Sequence, residues 1–165
     1  MFDLATWELA SYMVTVIGLP AAIALFLFEQ RKERANEEAE VHQLLSNAYN
    51  DFLKIVIDNA DLHLRSNAPT PDLSPEQRER MLAIFDMLIS LLERAYITAW
   101  SPKMTPEQAR RWNSWEDVMR DWVRRDDFYY RLPDLLRGED PEFAAYLRAL
   151  AQAERGAPDG PPATA

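Results

Sequence analysis

Residues 9–28, LASYMVTVIGLPAAIALFLF, hold no charged side chain. Twenty residues of helix rise about 30 Å, the thickness of a bilayer's hydrocarbon core. A buried core helix and a cleaved signal peptide are the alternatives. A small domain seldom needs so long an uncharged run inside it. A signal peptide opens on basic residues, whereas Asp3 and Glu8 and no Lys or Arg precede this run. The pattern predicts a retained transmembrane helix. Trp7 and Tyr12 fall near its outer end, where amphipathic rings favour the interface. Pro20 frees a backbone carbonyl one turn earlier, and a strip of Gly18, Ala21 and Ala22 would let another helix come close. At Phe28 the run gives way to EQRKER. Arg31, Lys32 and Arg34 lie just after the span and no base lies before it, so residues 1–8 are expected outside and residues 29–165 in the cytoplasm. Interleaved with Glu29 and Glu33, these three bases fall short of the ~4–8 clustered bases of a lipid-headgroup site.

The segment EQRKERANEEAE, residues 29–40, is charged on nearly every face and helix-favouring, so the span is expected to continue as a solvated stalk. From Val41 an apolar stripe begins: Val41, Leu45, Ala48, Phe52, Ile55 and Leu62, widened by Leu44, Tyr49 and Val56. It predicts a helix to about Arg65 that packs within the domain. The proline-rich stretch 66–77 reads as a loop, and it closes on SPEQ, a capping box with proline in the first turn. TPEQ at 105–108 repeats that grammar, and DPEF at 140–143 keeps the capping acid and the proline. The helix from Pro75 to about Trp100 is apolar over most of its circumference and is the expected centre of the bundle. Its Asp86, Glu93 and Arg94 rule it out as a second span. A tryptophan-bearing helix follows at 111–125. Pro133 and Gly138 then punctuate a short helix or turn, and a last helix runs from Pro141 to about Arg155, before a loose tail at 156–165. The fold class is therefore all-α: one N-terminal transmembrane helix (9–28), a helical stalk (29–40) and a cytoplasmic bundle of about four helices (41–155).

The chemistry on offer is sparse. There is no cysteine, which removes disulfides, thiolate metal sites and cysteine nucleophiles. Only four glycines argue against hairpins and phosphate loops. A net charge of −9, from 27 acids against 18 bases, disfavours nucleic acid. His42 and His63 stand in no metal-ligand spacing, no serine has a nucleophile-elbow context, and no metal or cofactor is expected. Trp112, Trp115 and Trp122 share a face with Met119, either as core or as a surface for a partner. Asp86 and Glu93, seven apart on one strip of the central helix, are candidate buried acids. They fit acid–base work or structural ion pairs with Arg78, Arg94, Arg110 or Arg111.

The order of FEQRKER, VHQLLSNAYNDFLKIVIDNADL, LLERAYITAW, MTPEQARRWNSWEDVMRDWVRRDDFYYRL and DPEFAAYL resembles a class of uncharacterised bacterial single-span membrane proteins with a small helical cytoplasmic domain. The resemblance covers about residues 9–150, with Glu93, Tyr96, Trp115 and Phe128 at recurring positions. It implies topology and fold and no activity. The sequence thus predicts a membrane-tethered interaction module of the inner (plasma) membrane, an adaptor or scaffold rather than an enzyme. Its expected partners are the bilayer and a protein at the membrane, with room for a homo-oligomer. Two rivals stand beside it. One is an accessory subunit of a transport or channel assembly, contacting it through Gly18 and Ala22. The other is a signalling or hydrolytic enzyme that uses Asp86 and Glu93.

Overall fold

A computed structural model describes residues 19–156. Among them there are helices, turns and no strand. The chain divides into two units, one ending at Val41 and one beginning at His42. The elements are α1 (Leu19–Asp58), a 3-10 turn (Ala60–Leu62), α2 (Pro75–Ala99), α3 (Pro106–Val123), α4 (Asp126–Tyr129), α5 (Leu132–Leu135) and α6 (Pro141–Gly156).

In the first unit, the described residues all belong to α1. Residues 22–30 are exposed throughout. Of the expected span, residues 9–18 lie outside the described residues, and among the described residues no helix is long and apolar enough to cross a membrane.

The second unit is a helical bundle. Its helix starts are written in local chemistry. Ser74 Oγ accepts from the Gln77 amide at 3.1 Å while Gln77 Oε1 accepts from the Ser74 amide at 2.9 Å. Thr105 and Gln108 repeat the exchange at 3.2 and 2.9 Å. Each box satisfies two backbone donors at a helix end, and Pro75 and Pro106 sit where no intrahelical donor is needed. Asp140 caps α6 by accepting from the Glu142 and Phe143 amides, both at 2.9 Å.

α2 is the centre. Met81, Ile84, Phe85, Leu88, Ile89, Leu91, Leu92, Ala95 and Tyr96 are buried, which leaves Asp86, Ser90 and Arg94 outside. α3 and α6 pack on it and on each other, and α5 closes against it. Phe85 lies at the centre of an aromatic cluster, edge-on to Phe128 at 5.1 Å and to Trp122 at 6.2 Å. Phe52 of α1 joins the same cluster through Trp122 at 5.8 Å. Leu44, expected on the inner stripe of α1, is instead 61% exposed, and Leu45, Phe52 and Val56 carry the burial.

α1 also ends earlier than its periodicity predicts, at Asp58 rather than near Arg65. The Asn59 side chain donates to the Ile55 carbonyl at 2.9 Å, while Asn59 and Asp61 are both held by Arg80 of α2 at 2.7 Å. A side chain that bonds its own backbone competes with helix continuation. Beyond the turn, His63 adopts a left-handed conformation, with φ 44°. Leu62 is fully buried from the 3-10 turn.

Candidate functional site

The tryptophan stripe is core. Trp112, Trp115 and Trp122 are 4, 6 and 2% exposed, so none of them presents a face to a partner. Trp115 meets Tyr49 edge-on, Trp122 packs on Phe52, Phe85 and Phe128, and Trp112 packs on Tyr96 and Tyr146. The burial that makes a Trp face attractive as a contact surface is used up inside the bundle.

Around Trp112 lies a polar relay that the sequence reading missed. The Trp112 indole donates to the Tyr146 hydroxyl at 3.1 Å, and that hydroxyl donates to Glu116 Oε2 at 2.5 Å. Arg120 donates to Glu116 at 2.5 Å and to Glu154 at 3.0 Å, and Arg124 donates to Glu154 at 2.7 Å. Burial pushes the Tyr146 phenol up to about 12, and its bond to the Glu116 carboxylate adds to the rise. Burial also pushes the Glu116 carboxyl up, but the donors Tyr146 and Arg120 outweigh it and hold the group below its ordinary value. Glu154 is lowered in the same manner: burial raises it, and Arg120 and Arg124 more than offset that. With charges paired and donors matched, the relay welds α3 to α6. Its signal in the sequence was the spacing Glu116–Arg120, one helical turn.

The acids of α2 behave differently. Asp86 is exposed, contrary to its expectation as a buried acid, and Glu93 is half-buried. None of Arg78, Arg94, Arg110 or Arg111 forms an ion pair with either of them among the described residues. Glu93 instead accepts from the Asp140 backbone amide at 2.5 Å, which fastens the turn before α6 to α2. Beside it stands Glu139, which the sequence reading did not single out. Burial first, then a hydrogen bond to Glu93 and repulsion from Glu93 and Asp86, raises its carboxyl to about 6. Among the described residues no group of three His, Asp or Glu side chains is placed to hold a metal ion. His42 and His63 are both exposed.

A third polar centre is Arg125, only 1% exposed. Its guanidinium donates to the carbonyls of His63 (2.9 Å) and Ser66 (2.8 Å), to Thr70 Oγ1 (2.9 Å) and to Asp127 Oδ2 (2.8 Å). Its Nε lies 2.6 Å from Asp127 Oδ1, an ion-pair contact whose angles fall outside a hydrogen bond. A buried charge needs this degree of pairing to be tolerated.

Of the expected membrane-side residues, Gly18 lies outside the described residues, as do the side chains of Arg31 and Arg34, whose backbone is helical. Ala22 and Lys32 are exposed. Comparison with known proteins finds no family model, no curated protein and no solved structure that matches the chain.

Proposed function

We propose that this chain is a membrane-tethered interaction module, with residues 9–28 as its single transmembrane helix and residues 29–165 on the cytoplasmic side. One observation carries the reading. Ile23, Leu25, Phe26, Leu27 and Phe28 point around the whole circumference of α1 and are 52, 60, 63, 47 and 67% exposed. An apolar surface on every side of a helix calls for an apolar surrounding, and lipid supplies one. The basic residues that follow set the orientation. Tethering raises effective concentration toward any protein at the same surface without a new contact. Because the tryptophans are core, the contact surface falls to exposed side chains of the bundle such as Ile57, Ile97 and Tyr130.

The test is fractionation of cells that express the full chain. After an alkaline wash the protein is expected in the membrane pellet, and the pair Leu25→Arg with Phe26→Asp is expected to release it. Protease added outside intact cells should leave the bundle whole. Recovery of the unaltered chain in the washed supernatant, or digestion of the bundle from outside, overturns the reading.

A further inference from the structure

Between the outer face of α6 and the α4–α5 segment runs an open, largely apolar groove of about 220 Å³. Tyr129, Tyr130 and Pro133 form one wall, and Arg148, Ala151 and Gln152 form the other. The aromatic wall is fixed in place. The Arg155 guanidinium lies 4.1 Å from the centre of the Tyr129 ring and pairs with Asp126 at 2.7 Å. Tyr130 meets Tyr129 edge-on at 5.5 Å and is 73% exposed. The opposite wall carries idle donors. Arg148 and Gln152 are exposed and make no hydrogen bond or ion pair among the described residues.

Exposed aromatic rings beside idle donors suit a polyproline II segment. Such a segment has no internal hydrogen bonds and its prolines carry no N–H, so it offers apolar rings and bare carbonyls. Aromatic grooves recognise it through those rings. The sequence supplies such a segment next to this groove. Residues 157–165 read APDGPPATA and follow α6 directly. Its first four residues carry a turn signature, with Pro158 second, Asp159 third and Gly160 fourth. A turn there points Pro161 back along α6. Residues 161–165, extended, span about 15 Å. The rise along α6 from Arg148 to Gly156 is about 12 Å. The segment is therefore long enough to run from the tyrosines to Arg148.

We propose that residues 161–165 dock in this groove of their own bundle. Pro161 and Pro162 lie on Tyr130 and Tyr129, and the segment's carbonyls face Gln152 and Arg148. The tether selects this occupant. A short link gives an effective concentration on the order of millimolar, so a contact too weak to hold a free peptide is still populated. The groove is smaller than a pocket for a drug-sized ligand and suits a few side chains at most. Docking covers Tyr130, so a partner that uses that ring must displace the segment first. The proposal does not depend on the membrane reading, since every residue in it lies in the second unit.

Nuclear magnetic resonance of the full chain in detergent micelles tests it, with a free peptide of residues 156–165 as the reference. Docked proline rings stand over tyrosine faces. The Pro161 and Pro162 ring protons are therefore expected upfield of their positions in the peptide, with cross-relaxation to the Tyr130 ring. Tyr130→Ala, at an exposed position, should return them to the peptide values while the amide spectrum keeps the fold. Ile97→Ala, on α2 and outside the groove, should leave them shifted. Arg148→Ala with Gln152→Ala removes the donors, keeps the rings and should lessen the shift. Proline signals equal to those of the peptide in the unaltered chain, or shifts that survive Tyr130→Ala, overturn the proposal. So do shifts that fade on dilution, which mark the segment of a second copy in the groove.

Discussion

The two halves of α1 belong to one helix and live by different rules. Between Leu19 and Phe28 the apolar side chains form an unbroken run, and those from Ala22 onward stand exposed. Between His42 and Asp58 the apolar side chains recur at three- and four-residue steps, and Leu45, Phe52 and Val56 are all at or below 5% exposure. The difference is one of pattern rather than of hydrophobicity. A stripe can be covered from one side by neighbouring helices, whereas an apolar surface around the full circumference needs cover on every side. Among the described residues the stripe is covered and the continuous run is not.

The sharpest way to break this contrast is to truncate one phenylalanine in each half. Phe52→Ala removes a ring packed on Tyr49 and Trp122, and its cost should be about 3–5 kcal/mol in chemical denaturation. Phe28→Ala should change the same midpoint by less than about 0.5 kcal/mol, as for an ordinary exposed position. Equal effects would mean that the upper half is covered after all. Next in size is Arg125→Met, which strands the Asp127 carboxylate and the Ser66 carbonyl and leaves the His63 carbonyl with the Ser66 amide alone. A loss of about 3 kcal/mol is expected, with proteolysis of the 63–70 loop as the accompanying sign. Tyr146→Phe keeps the ring and deletes the hydroxyl that links Trp112 to Glu116, and should lower stability by about 1–2 kcal/mol.

The smallest effect has a definite sign. Glu139 is raised to about 6 in the folded chain, so folding favours its protonated form. Its contribution to stability is complete below the ordinary carboxyl value of 4.5 and is lost as pH rises through about 6. Glu116 and Glu154, both lowered, contribute in the opposite sense: their stabilisation is present above 4.5 and is lost as pH falls below it. Melting temperature measured from pH 5 to 8 should therefore drift downward. Glu139→Gln should flatten that drift and raise stability at pH 8 by about 1 kcal/mol or less, once solvent screening is allowed for. A melting temperature that climbs across this range in the unaltered chain would show that Glu139 and Glu93 do not repel.

Much of the bundle could be read directly. Ser74, Thr105 and Asp140 announced three helix starts because capping is local: a side chain answers amides two or three residues away. The inner face of α2 was legible because its polar strip is narrow and its period regular. The sites were harder to read. Glu139 gains its character from Glu93, forty-six positions upstream by number, and no spacing rule joins a turn to the middle of another helix. The relay joins Trp112 and Glu116 to Tyr146 and Glu154 in the same long-range way, and Arg125 reaches back to His63. The early end of α1 belongs here too, since Arg80 takes hold of Asn59 and Asp61 from across the fold. Asp86 was misplaced for a simpler reason: an acid beside a broad apolar face can still lie on its outer edge.

The reach of Arg125 bears on how the protein is made. The carbonyls it grips lie 62 and 59 residues before it. On the ribosome, the loop at 63–70 and the first turns of the bundle emerge long before their clamp does. Until Arg125 and Asp127 have left the exit tunnel, the Ser66 carbonyl lacks its guanidinium partner and the His63 carbonyl has only the Ser66 amide. A stall between residues 70 and 125 would leave a nascent chain whose 63–70 loop still lacks this clamp.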